Sequence, residues 1–289
     1  MNPKTKNLLI RTLAGAVYIA LMITAVFVFP MMPVLLCLAA CIGIFELSKL
    51  TSGPTDHVGR IVLSAAAIAQ FALILQYGIQ KSSFFYNAAT FTLTGFLFSI
   101  PLILMCIGML MTIAELFRCR PLSVEHIGTA LFGYFWIILP LGFVAVMTRI
   151  CPQVVFAFFL MIWAYDTFAY LGGSLYGRNK MCERISPKKT WEGTVTGLVL
   201  TIVLAMILPS IPYFAQVHAP LWNWAVYAII TVVFATFGDL IESVFKRRAD
   251  VKDSGHIMPG HGGILDRFDS MLLSALPALL FALFVMILK

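Results

Sequence analysis

The sequence predicts an all-α integral membrane protein of about nine transmembrane helices, N-terminus cytoplasmic and C-terminus outside. Three observations predict it. Hydrophobic residues make up 61% of the 289 and charged residues 11%, whereas a soluble domain is roughly half apolar and a quarter charged. Apolar runs long enough to cross a bilayer recur along the whole chain. Basic residues gather on alternate connections between those runs.

The nine stretches are 11–29, 32–48, 60–79, 89–115, 127–148, 153–175, 194–212, 221–244 and 271–288. The first follows Lys4, Lys6 and Arg11. It is too long for the apolar core of a signal peptide and lacks a small-residue cleavage site, so it reads as an uncleaved span. Pro30 and Pro33 punctuate the passage to the second. All nine read as helices, because lipid leaves no partner for an open sheet edge. The chain shows no internal repeat or soluble linker. It reads as one polytopic domain, 1–289, with N-terminal spans in 1–150 and a catalytic half in 151–289. That half carries two cytoplasmic loops, 177–193 and 245–270.

Threading nine spans puts every lysine and arginine on one side except Lys81, Arg149 and Lys289. The crowded side is cytoplasmic by the positive-inside rule. The net charge of +7 is thereby a topological signal, and no nucleic-acid partner is expected. Carboxylates also avoid the outer side, although topology responds weakly to them; chemistry at the cytoplasmic face accounts for that. The six cysteines form no C-x-x-C pair and read as small packing residues.

The polar residues concentrate in the two loops. On the eighth span Asp239, Glu242, Ser243 and Lys246 are spaced i, i+3, i+4, i+7, which places them on one helical face. Ionisable groups in a span cost several kcal/mol and face a partner, water or a ligand. Glu242 and Lys246 satisfy each other as an ion pair in one reading; Asp239 calls for a cation. Downstream, Lys252-Asp253 precedes Pro259-Gly260-His261-Gly262-Gly263 and then Asp266-Arg267-Phe268-Asp269. Glycines admit phosphate oxygens to backbone N–H groups, and aspartates hold Mg²⁺. Asp266 and Asp269 share a helical face leading into the ninth span, where an N-cap role is the alternative. The other loop carries Ser186-Pro187-Lys188-Lys189-Thr190-Trp191-Glu192-Gly193, a set for anchoring at the interface or for gripping a phosphate. Asp166, inside the sixth span, reads as a supporting acid or the partner of a base.

The run Ser243–Asp269 resembles the signature of phosphatidate cytidylyltransferases, matching S-x-x-K-R-x-x-x-x-K-D and P-x-H-G-G-x-x-D-R-x-D, with Met258 as a small departure. The S-P-K-K-T-W-E-G segment is similar to a second motif of that family. The resemblance implies that phosphatidic acid attacks the α-phosphate of CTP, giving CDP-diacylglycerol and pyrophosphate with Mg²⁺, and associates K⁺ with the reaction. By motif position Asp239 and Asp266 are the expected cation ligands, with Asp253 and Asp269 close by. Lys246 and Lys252 join the catalytic set. Ser243, Arg247, His261, Gly262, Gly263, Arg267, Ser186, Lys188 and Lys189 bind substrate phosphates. The expected setting is the lipid bilayer of a bacterial inner (plasma) membrane, with the site facing the cytoplasm and the packing compatible with a homodimer. The competing readings are a CTP-dependent polyprenol-type kinase, a secondary transporter and a scaffold.

Overall fold

The computed structural model describes residues 3–51, 57–79, 88–117, 124–257 and 262–287. All nine apolar stretches fall on helices. Among the described residues eight helices are long and apolar enough to cross a membrane, and the apolar part of the first, Thr12–Phe27, is a shorter one. The chain divides into two compact units, Met1–Ile150 with Arg248–Arg267, and Cys151–Arg247 with Phe268–Lys289.

The first unit contains α1 (Pro3–Phe27), α2 (Met31–Thr51), α3 (His57–Ile79), α4 (Ala88–Phe117), α5 (Val124–Gly133) and α6 (Leu139–Ile150). A π-helical turn, Tyr134–Ile138, joins α5 to α6 in one span, Glu125–Ile150. Pro140 explains the widened turn: it has no N–H to offer the carbonyl one turn back, and the helix readjusts ahead of it. Tyr134, fully buried, donates to Gln70 (3.0 Å), which donates to Ser99 (2.7 Å). This network ties the π turn to α3 and α4 as a chain of satisfied polar groups, the form in which such groups survive between membrane helices. At the ends of these helices, Arg149 donates to the Gly78 carbonyl (3.1 Å) and lies over the Phe29 ring. The ends of α1, α3 and α6 therefore meet at one level, as an up-and-down threading requires.

The second unit contains α7 (Pro152–Tyr176), a hairpin of β1 (Lys180–Cys182) and β2 (Ser186–Thr190), α8 (Trp191–Ile207), a short α9 (Pro212–Ala215), α10 (Leu221–Arg248) and most of α11 (Leu265–Phe281). The stretch 177–193, expected as a loop, is thus an antiparallel hairpin, with Lys180 paired to Thr190 and Cys182 to Ser186, running into the first turn of α8. The stretch 245–270 is shortened at both ends, because α10 continues to Arg248 and α11 starts at Leu265. Its central part, Arg248–Arg267, groups with the N-terminal helices.

Small residues set the packing of α7 on α8. A Cβ on Gly193 would stand 2.6 Å from the Ala169 carbonyl oxygen and 2.9 Å from the Gly173 Cα, and one on Gly197 would meet the Tyr165 ring at 2.8 Å. Glycines four apart let membrane helices approach at backbone distance. α7 and α10 run parallel: Tyr227 donates to the Val154 carbonyl (3.1 Å), and further along Tyr165 hydrogen-bonds Thr236 (2.6 Å). Large apolar side chains such as Phe98, Met105 and Met109 on α4 point outward, the arrangement expected when lipid is the solvent. Five free cysteines are described with no disulfide, and burial pushes the Cys151 thiol up, which fits a packing role.

Gly193→Ala should lower stability by about 1–3 kcal/mol through overpacking, read as a lower thermal midpoint in detergent. Gly108→Ala, where an added Cβ meets nothing within 4 Å, should not.

Candidate active site

In the second unit the hairpin is fixed before it presents its lysines. Thr190 caps α8, its hydroxyl accepting from Gly193 N (3.2 Å). Glu192, in the first turn, accepts from Arg178 N, Asn179 N and Asn179 Nδ2 (2.8 Å for the last). One carboxylate thus closes the base of the hairpin with donors that would otherwise face water alone. Lys188 and Lys189 then project from β2 into a cavity of about 320 Å³. Its wall includes Tyr165, Asp166, Tyr170 and Ser174 of α7, Thr190 and Thr194, and Asp239 of α10.

Lys189 pairs with Asp239 at 2.6 Å, and Ser243, one turn further along α10, donates to the other Asp239 oxygen at 3.3 Å. Glu242 and Lys246 pair at 3.2 Å, as the i, i+4 spacing predicts. Asp269 of α11 lies within electrostatic reach of Asp239, Lys246 and Lys189. Gly238 makes that proximity feasible: a Cβ there would stand 2.5 Å from the Asp269 carbonyl oxygen.

A second polar centre belongs to the first unit. Asp266 Oδ2 accepts from Ser254 N (2.9 Å), Ser254 Oγ (3.0 Å) and Gly263 N (2.8 Å). Gly262 takes φ +82°, a left-handed conformation suited to glycine; a Cβ there would also meet Asp266 Oδ2 at 2.5 Å. The Ser254 hydroxyl reaches Glu46 of α2 as well (2.9 Å), and Glu46 accepts from Ile264 N (3.0 Å) and Leu265 N (2.8 Å).

Of the residues expected at the site, Lys188, Lys189, Asp239, Ser243, Lys246 and Asp269 come together in the second unit. Asp266, Gly262 and Gly263 share the first unit's centre, with Asp253 beside Gly262. Lys252, Asp253 and Arg267 are exposed there. Ser186 lies in β2, and Arg247 is spent on the hairpin, donating to the Ile185 carbonyl (3.4 Å). His261 lies outside the described residues. The sequence reading missed Glu46, Glu192 and Ser254. A glutamate near the end of an apolar helix was the available signal for Glu46, and an acid in the first turn after Thr190 was the one for Glu192.

Among the described residues no three His, Cys, Asp or Glu side chains form a metal cage. Asp239 and Asp269 with the Ser243 hydroxyl are all hard oxygen donors. Mg²⁺ is commonly held by one or two carboxylates plus substrate phosphates rather than by an all-protein cage, so this set fits that ion.

Comparison with known proteins decides the family. The sequence profile of the cytidylyltransferase family matches residues 9–287. The chain belongs to the cytidylyltransferase family. It is similar to a phosphatidate cytidylyltransferase of Rickettsia typhi, 36% identical over 184 residues, covering 62% of this chain and 78% of that one. The protein of the same description from Rickettsia prowazekii is 37% identical over the same length and shares. That of Staphylococcus saprophyticus is 46% identical over 114 residues, 39% of this chain and 43% of the relative. The cytidylyltransferase match takes in both polar centres and the N-terminal helices that hold Glu46, so the chain is a multi-spanning membrane nucleotidyltransferase along most of its length.

Gly238→Ala should cut cytidylyl transfer by about 10²-fold, the scale expected when catalytic groups are displaced by about 1 Å. The check is turnover by purified protein assayed well below its thermal midpoint, which the same overpacking should lower.

Proposed function

We propose that this enzyme transfers the cytidylyl group of CTP to phosphatidic acid, giving CDP-diacylglycerol and pyrophosphate for phospholipid synthesis. The observation that carries the reading is the cavity where Lys188, Lys189 and Asp239 meet between membrane helices, in a chain of the cytidylyltransferase family. A lipid phosphate and a nucleotide need cationic side chains, hydroxyls and carboxylates at the edge of an apolar bundle, and the cavity offers all three.

A phosphate oxygen of phosphatidic acid forms a bond to the α-phosphorus of CTP. The bond from that phosphorus to the α,β-bridging oxygen breaks, and pyrophosphate leaves with the electron pair. The attacking phosphate is already an anion at neutral pH, so no general base is required. Lys188 and Lys189 neutralise and orient phosphate oxygens as point charges. For Lys189 this means exchanging Asp239 for the substrate. Ser243 fixes the Asp239 carboxylate, and Lys246 is held in place by Glu242. Asp239, with Asp269 beside it, would hold Mg²⁺; by position in the family motif alone, Asp266 is assigned as a cation ligand with Asp253 close by, and Lys252, His261 and Arg267 as phosphate-orienting groups. Mg²⁺ supplies offset of the charge on the triphosphate and the leaving pyrophosphate, with K⁺ as a further cation. Relatives in bacteria favour the bacterial inner membrane, and the crowding of bases on one side favours a cytoplasmic site. A homodimer is part of the same reading.

The test is product analysis with CTP, phosphatidic acid and Mg²⁺ in detergent. Pyrophosphate should appear only when both substrates are present and vanish on chelation, and Asp239→Asn should lower it by about 10²–10³-fold. CDP in place of pyrophosphate would establish a kinase and overturn the proposal.

A further inference from the structure

Glu46 is 3% exposed on an apolar helix, and all its named partners come from a segment more than 200 residues later. It accepts from Ile264 N and Leu265 N, the donors at the start of α11, and from the Ser254 hydroxyl. The first N–H groups of a helix have no partner within it, and a negative charge there is favourable. Glu46 therefore caps α11 from another helix, and α11 in turn satisfies Glu46.

The Ser254 hydroxyl has one proton and stands between two carboxylates, 2.9 Å from Glu46 and 3.0 Å from Asp266. Gly263 is hemmed in by the same pair: its N–H goes to Asp266, and a Cβ on it would stand 2.5 Å from both Glu46 oxygens. Ser254 and Gly263 thus couple the two carboxylates: what holds Glu46 in place also bounds Asp266.

We propose that Glu46 is a positioning residue for cytidylyl transfer, fixing Ser254 and residues 263–265 at the start of α11, and through them the Asp266 carboxylate. This rests on the reading that Asp266 serves the reaction.

The experiment compares Glu46→Gln, Ser254→Ala and Asp266→Asn as purified full-length proteins, by steady-state kinetics and by hydrogen exchange of the peptide 254–267. Glu46→Gln keeps the volume but turns an N–H towards N–H donors. It should raise exchange in 254–267 alone and lower kcat about 10–100-fold, the range seen when groups that orient catalytic ligands are removed. KM for CTP and for phosphatidic acid should stay within about threefold, since no substrate contact is lost. Ser254→Ala leaves Glu46 its two backbone donors and should show the same pattern more weakly, which keeps the test decisive if Glu46→Gln does not fold. Wild-type kcat and exchange in Ser254→Ala and in any folded Glu46→Gln overturn the proposal. Exchange that rises across all helices, with kcat and KM lost together, also overturns it and leaves Glu46 a fold-stabilising residue only. Wild-type turnover by Asp266→Asn refutes the role given to Asp266 and with it the catalytic half of the proposal, while local exchange still reports whether Glu46 holds the segment.

Discussion

The structure depends on which donors are brought to the carboxylates at the ends of its apolar helices. An unpaired charge there costs several kcal/mol, so each acid fixes the position of whatever satisfies it. Three solutions occur side by side in sequence type. Glu46 takes the backbone donors that open α11. Glu192, in the first turn of α8 and open to water, takes the Arg178 and Asn179 N–H groups and the Asn179 side-chain amide at the base of the β1–β2 hairpin. Asp239 takes a lysine ammonium and a serine hydroxyl. The first two solutions rest mainly on main-chain N–H groups, two for each acid, and they hold segments. The third uses a mobile side chain, and it sits in a cavity. That difference separates two acids tied to the backbone from the one that lines the cavity.

Legibility in the sequence follows the range of the interaction. Helices were legible because lipid imposes a run of apolar residues that needs no knowledge of neighbours. The face bearing Asp239, Ser243 and Lys246 was legible for the same reason, since i, i+4 contacts are fixed by helix geometry alone. The β1–β2 hairpin was not: Lys180 to Thr190 has no apolar alternation, and the pairing is secured by Glu192 in the next helix. Nor was the role of Glu46, whose partners are 208 and more residues away. Its place near the end of a span looked like one more interfacial acid. The grouping of Arg248–Arg267 with the N-terminal helices was hidden with it, because Glu46 is the anchor that draws the segment there.

The same distinction explains why the N-terminal helices, which carry none of the motif residues, are not mere filler. A glycine-rich segment is suited to phosphate because its backbone can approach closely, and for that reason it has little conformational preference of its own. Gly262 and Gly263 would be poorly ordered if they had only their neighbours in sequence. They are instead bounded by two carboxylates, and the room for a side chain at either position is already taken. Order is imported from α2 into a segment that cannot supply it.

Charge in the second unit's cavity leads to a further step. Two lysines, Lys188 and Lys189, and two aspartates, Asp166 and Asp239, line the cavity, so its lining carries no surplus of positive charge. A nucleoside triphosphate and a lipid phosphate together bring several negative charges. Two lysines, one of them already paired with Asp239, do not offset them, and Asp269 adds a carboxylate nearby. A site meant only to hold anions would omit the aspartates. In the proposed reaction Asp239 and Asp269 would hold a divalent cation that offsets phosphate charge, and Lys189 would be available to a phosphate. The 2.6 Å ion pair between Lys189 and Asp239 is, in this view, the resting form of both groups, each occupying the other's ligand until substrate arrives.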